Sequence, residues 1–261
     1  MSMYENQGYV PAPAPEKTPA MNIWKSVLFS PAIETFARFR EQADLTRAAI
    51  WVALSGLVSG IATAITMATS GGVAANMEQL RDILPPELAS ELPETAVQAA
   101  PTIGSALCSI PSGAVGAVIG FFISVGLIHL VAKLLQGQGT YTETFFLSAA
   151  AAVPITIVMS VIQIIGGLFN LIPVIGPIFA ILVGLVSFVL GIYSLVLSAM
   201  AVAAAHRFSL GKGFAAVLIP GAVALLFCCC ITGILVAAMG AAAPNIEELL
   251  EEMSALLTLV A

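Results

Sequence analysis

The chain has 261 residues, 59% of them hydrophobic and 9% charged, with a net charge of −6. An ordinary soluble domain is about 25% charged, and 9 Lys and Arg with 15 Asp and Glu cannot cover a globule of this length. The composition excludes a water-soluble globule and makes the bilayer the expected solvent.

Residues 1–21 open on "MSMYENQGYVPAPAPEKTPA", rich in Pro and Ala and without an apolar core for a cleaved signal. They read as a disordered cytoplasmic tail with extended Pro-Ala backbone. Next comes "WKSVLFSPAIETFARFR" (24–40), which mixes aromatics with bases. Ile23, Trp24, Val27 and Leu28 share one helical face. Ser30 is placed to cap a second helix with Pro31 at its first position, and Ile33, Phe36 and Phe39 line one side of that helix. The expectation is two short helices over 22–42, lying in the cytoplasmic interface. Trp24, Phe36 and Phe39 would sit in the acyl boundary, with Lys25, Arg38 and Arg40 at the headgroups.

Five stretches are long and apolar enough to cross a bilayer, at about 48–70, 112–135, 144–168, 176–205 and 213–240. Backbone groups in lipid must bond to one another, so each is expected to be helical. Between the first two lies an acidic outer loop, 71–111, in which Met77, Leu80 and Leu84 recur at helical spacing ahead of Pro85 and Pro86. The turn before the third span carries Thr140 and Glu143 at capping-box spacing. The turn at 171–179 is uncharged and reversed by Pro173, Gly176 and Pro177. After the last span, residues 241–261 form an acidic helix capped by Asn245. Ile246, Leu249, Leu250, Met253, Leu256, Leu257 and Val260 form its apolar stripe, opposite Glu247, Glu248, Glu251 and Glu252. An acidic face gains nothing from anionic lipid, so this stripe is expected to dock on protein, its own outer loop or a partner.

Counting bases sets the orientation. With the amino terminus inside, the inner segments hold Lys17, Lys25, Arg38, Arg40, Arg47, Lys133, Arg207 and Lys212, and the outer ones only Arg81. The expected fold is an all-α membrane protein: a bundle of five transmembrane helices with interfacial amphipathic helices. It would sit in the cell membrane with its amino terminus cytoplasmic and its carboxyl terminus outside.

Chemistry is sparse. His129 and His206 are the only histidines, with no carboxylate or thiolate placed to complete a metal site. Cys228, Cys229 and Cys230 fan out around a helix and cannot converge on one ion, so they read as packing residues; with Cys108 they make no disulfide framework. No nucleophile elbow, zinc-binding helix or phosphate loop appears, and no intramembrane carboxylate pair. No catalytic residue, cofactor or metal is expected, and nucleic acid is excluded by the lack of a basic stripe. Gln163 is expected to bond across to a neighbouring helix. The richer signal is small residues: Gly56 and Gly60, Gly116 and Gly120, and Ser187 and Gly191 form flat patches expected to pack helix on helix.

Three stretches, "W…LFSPAIETF" (24–36), "GQGTYTETFFLSAAAAVP" (137–154) and "AHRFSLGKGFAAVLIP" (205–220), together resemble the Yip family. These are five-span membrane proteins named for Ypt/Rab GTPase interaction, and the resemblance is to the prokaryotic branch. The family pattern matched here is an entry motif before the first span and a Gly-rich turn into a span with an internal proline, Pro154. A polar turn carrying His206, Ser209 and Lys212 completes it. The polar signature of the eukaryotic trafficking members is missing from the first spans, so Rab binding does not transfer. The resemblance implies a membrane organiser or adaptor. Partners would be membrane lipids and another membrane protein or a second copy. The alternative is a small transporter or lipid-handling protein, with Pro154 and the Gly166–Gly167 pair breaking the third span to line a polar cavity.

Overall fold

The computed structural model describes residues 18–83, 103–169, 171–172, 175–223, 225–226, 229–230 and 232. Every regular element among them is helical. Two short helices, α1 (Ala20–Phe29) and α2 (Ile33–Phe39), lead through a 3-10 turn (Arg40–Gln42) into α3 (Leu45–Ile83). The long helices α4 (Ile103–Leu134), α5 (Tyr141–Phe169) and α6 (Ile175–His206) follow, and then a shorter apolar helix, α7 (Leu210–Val223).

Four helices are long and apolar enough to cross a membrane, over Leu45–Thr69, Ala106–Leu134, Tyr141–Phe169 and Ile178–His206. This is a multi-pass membrane protein. Of the expected fifth span, 213–240, the described residues show α7, which is too short to cross a membrane by itself; most of the residues from 224 to 240, and all of 241–261, lie outside the described residues. Helical residues run into the expected outer loop 71–111 from both sides. Helix α3 runs on to Ile83, just ahead of Pro85 and Pro86, and α4 already begins at Ile103. Proline removes one backbone donor and crowds the preceding turn, so it is disfavoured inside a helix in water. Within lipid the same residue is tolerated: α4 continues through Pro111 and α5 through Pro154. The expected break of the third span therefore does not occur.

Helix α5 is the hub. It packs on both α3 and α6, and its residues from Thr144 to Ala151 are all buried. By contrast, α4 and α6 bury only 6% of their span windows. Gly166 and Gly167, instead of breaking α5, bring it close to its neighbours. A Cβ built on Gly166 meets Val183 on α6 at 3.2 Å, and one on Gly167 meets Thr69, Ile65 and Thr66 on α3 at 3.5–3.6 Å.

The short amino-terminal helices lie on the bundle and seal its core. Ile23, Val27 and Phe36 are fully buried, in one cluster with Trp51, Val52, Phe145, Phe146 and Leu197. Trp24 meets Trp51 edge-on at 5.6 Å, and Trp51 meets Phe146 at 5.3 Å. Arg47 stacks over the Trp51 ring at 4.9 Å. Helix α2 starts at Ile33 with no side-chain cap; Ser30 does not cap it, and instead its carbonyl accepts a 2.9 Å bond from the Thr35 hydroxyl. The Tyr193 hydroxyl on α6 donates to the Leu28 carbonyl, anchoring the end of α1.

Candidate functional site

The start of α3, the α4–α5 turn and the α6–α7 turn, which carry bases, meet at one end. There the capping box read from sequence forms. The Thr140 amide donates to Glu143 Oε2 at 2.7 Å, and the Glu143 amide donates to Thr140 Oγ1 at 3.2 Å. Glu143 also faces Arg40 Nε at 3.7 Å, and Arg40 donates to the Ala204 carbonyl at 3.5 Å. The turn before α5 is thereby tied to α2 and to α6.

Directly below sits the pair of histidines. His129 (α4) and His206 (α6) have ring centroids 5.0 Å apart, and both reach the same hydroxyl. Thr144 Oγ1 lies 3.0 Å from His129 Nδ1 and 3.0 Å from His206 Nε2. It also donates to the Thr140 carbonyl at 2.8 Å. A hydroxyl has one proton and two lone pairs. With its proton on Thr140, Thr144 accepts from both imidazoles, so His129 donates through Nδ1 and His206 through Nε2. That leaves His206 Nδ1, buried with no partner, beside Gly137, where a Cβ would approach it to 2.4 Å. Only glycine fits there. The oxygen occupies the place between the rings that a shared ion would need, and no group of three metal-ligating side chains exists among the described residues.

A second feature opens midway along the bundle. A cleft of about 500 Å³ lies between α3, α4 and α5. Ser55, Ser59, Ser112, Ser124 and Thr156 face it, and Gly116 and Gly120 form its lip. The cleft exists because α4 leans on α3 and touches α5 mainly through Phe121 and Phe122, which pack on Phe145 at 5.0 and 4.4 Å.

The residues singled out by sequence divide accordingly. Lys25 and Arg38 are exposed at the basic end; Trp24, Phe39 and Arg40 are half-buried against the bundle. Phe36, expected in the acyl boundary, is fully enclosed by protein. An amphipathic helix cannot tell a lipid floor from a protein one, and here protein supplies it. Gly56 and Gly60 do meet another helix: a Cβ on Gly56 would lie 2.6 Å from Ala117 and from the Gly113 carbonyl, and one on Gly60 2.6 Å from the Ser109 carbonyl. Gly116, Gly120 and Gly191 meet no helix of this chain, since nothing lies within 4 Å of a Cβ built on any of them. Ser187 is half-buried on α6. Gln163 is exposed and makes no bond to a neighbouring helix; Cys229 and Cys230 are exposed, not packed inside, Cys108 is exposed too, and Cys228 lies outside the described residues. Ile246, Leu249, Leu250, Met253, Leu256, Leu257 and Val260 lie outside the described residues. Sequence reading missed Thr144 as the link between the histidines. Its only signal was its place four residues after Thr140, one turn into the capped helix.

No curated protein and no solved structure matches the chain. The family model of the Yip1 domain matches residues 25–231, from the first base of α1 through the four spans and α7. On that match, and on its bundle of apolar helices, the chain belongs to the Yip1 domain family of membrane proteins.

Proposed function

We propose that the protein is a non-enzymatic membrane adaptor, or accessory assembly subunit, acting through helix–helix and protein–protein contacts. One observation carries this reading. The amino-terminal segment is not a loose anchor but a platform locked to the bundle by Phe36, Tyr193 and Arg40, and it presents Lys25, Arg38 and the 82% exposed Phe29 outward. A rigid surface with a projecting aromatic and flanking bases suits recognition. The proposed topology has five spans, with the basic end cytoplasmic by the positive-inside rule and the acidic tail outside in the cell membrane. The acidic helix 241–261 would dock on the outer loop or on a partner. Mild-detergent purification of the tagged protein, with co-purifying chains identified by mass spectrometry, tests the proposal. A stoichiometric partner that is lost on Phe29→Ala and Arg38→Ala supports it; a protein that purifies alone at every detergent strength removes it.

A second reading, lipid handling, is favoured by the hydroxyl-faced cleft between α3, α4 and α5.

A further inference from the structure

We infer that the cleft between α3, α4 and α5 is a binding site for an uncharged lipid that carries a free hydroxyl, such as a diacylglycerol. The inference rests on the lipid-handling reading and is independent of the adaptor surface.

Access comes first. The lip residues Gly116 and Gly120 are exposed and lie in the middle of the span Ala106–Leu134. The mouth therefore opens sideways into hydrocarbon, and only a molecule already dissolved in the bilayer can enter. At about 500 Å³ the cleft is within the range of about 300–1,000 Å³ typical of small-molecule sites.

Charge is next. No Asp, Glu, Lys, Arg or His lines the cleft. An ionised headgroup drawn to this depth would lose its water without gaining a counter-charge, which is costly. A phospholipid head is thus rejected and an uncharged one admitted.

The hydrogen-bonding chemistry narrows the class further. Ser55 donates its proton to the Val52 carbonyl, Ser112 to Cys108, and Thr156 to Ala152, at 2.8–3.0 Å. Each of these oxygens keeps lone pairs and has no proton to offer, so it can only accept. A ligand ether or ester gains nothing from these three and can pair only with the hydroxyls of Ser59 and Ser124, whereas a ligand hydroxyl can donate to all of them.

The test uses the full chain in phosphatidylcholine nanodiscs with a diacylglycerol bearing a diazirine in one acyl chain. Irradiation should label peptides from α3, α4 and α5 that line the cleft, saturably. Unlabelled diacylglycerol should compete about tenfold better than its methyl ether, the ratio expected for one buried hydrogen bond. Gly116→Leu with Gly120→Leu should abolish labelling, and its thermal stability should match the parent because the lip is empty. Three results would overturn the inference. The first is labelling scattered over the lipid-exposed faces without competition. The second is equal competition by the methyl ether. The third is an occupied cleft: ready disulfide formation between Gly120→Cys and Cys229 or Cys230, or between two copies through Gly120→Cys, with no probe incorporated. Failure here leaves the adaptor surface untouched, because that surface is read out by co-purifying chains.

Discussion

Two glycine pairs with the same spacing should respond to the same substitution with opposite sign. Gly56 and Gly60 lie in the α3–α4 seam, where a Cβ would approach backbone carbonyls of Gly113, Ser109 and Ile110 to 2.6–2.8 Å. Backbone cannot swing aside as a side chain can, so Gly56→Ala with Gly60→Ala forces the helices apart. Overpacking costs about 1–3 kcal/mol per site. The Ser109 hydroxyl bond to the Gly60 carbonyl, 3.1 Å long, is strained as well, and such interhelical bonds contribute about 0.6 kcal/mol in membranes. Against this, alanine is the better helix former by about 1 kcal/mol per residue. The net for the double substitution is a loss of about 1–4 kcal/mol. Gly116→Ala with Gly120→Ala meets no atom within 4 Å and keeps only the propensity gain, so it should be neutral or stabilising by up to about 2 kcal/mol. Equilibrium unfolding in mixed micelles with increasing SDS fraction reads both variants against the parent. Shifts of the same sign and size in the two pairs would refute the packing argument.

Thr144→Val removes the hydroxyl that both histidines share and strands the buried His206 nitrogen, while the half-buried His129 keeps some access to water; a loss of about 1–3 kcal/mol is expected in the same unfolding assay, against little change for the exposed Thr63→Val. Glu143→Gln should retain the capping box and cost under about 1 kcal/mol, because its ion pair with Arg40 is long and partly exposed. Glu143→Ala should cost about 1 kcal/mol more by opening the box. Tyr193→Phe should free the end of α1 and speed tryptic cleavage at Lys25, with the long helices unaffected. Orientation is read by Gln138→Cys in a variant lacking native cysteines. An impermeant maleimide should label it in inside-out vesicles and not in sealed right-side-out ones.

What the sequence made legible was local. The helices of the four spans and the Thr140–Glu143 box follow from interactions within a few residues. Spacing also showed that Gly56 and Gly60 share a face, as do Gly116 and Gly120, yet the first pair meets α4 and the second meets open space. Periodicity fixes which residues point the same way and is silent on what stands opposite. Phe36 makes the same point, since a buried aromatic stripe is equally served by acyl chains and by α6. The link from His129 through Thr144 to His206 joins positions 62 residues apart at its longer step, and only the tertiary arrangement can bring those groups to one oxygen.

The docking of the first helices on the last described span has a consequence for biogenesis. Arg40 bonds to Ala204 and Tyr193 to Leu28, contacts that close 164 and 165 residues of chain. In order of synthesis, α1 and α2 emerge first, while the helix that clasps them arrives after three intervening long helices. Until α6 is inserted, Ile23, Val27 and Phe36 have only part of their seat. A nascent chain stalled before that point displays an apolar ridge at the membrane surface, so a quality-control factor that recognises such ridges can distinguish a finished molecule from an interrupted one by its amino terminus alone.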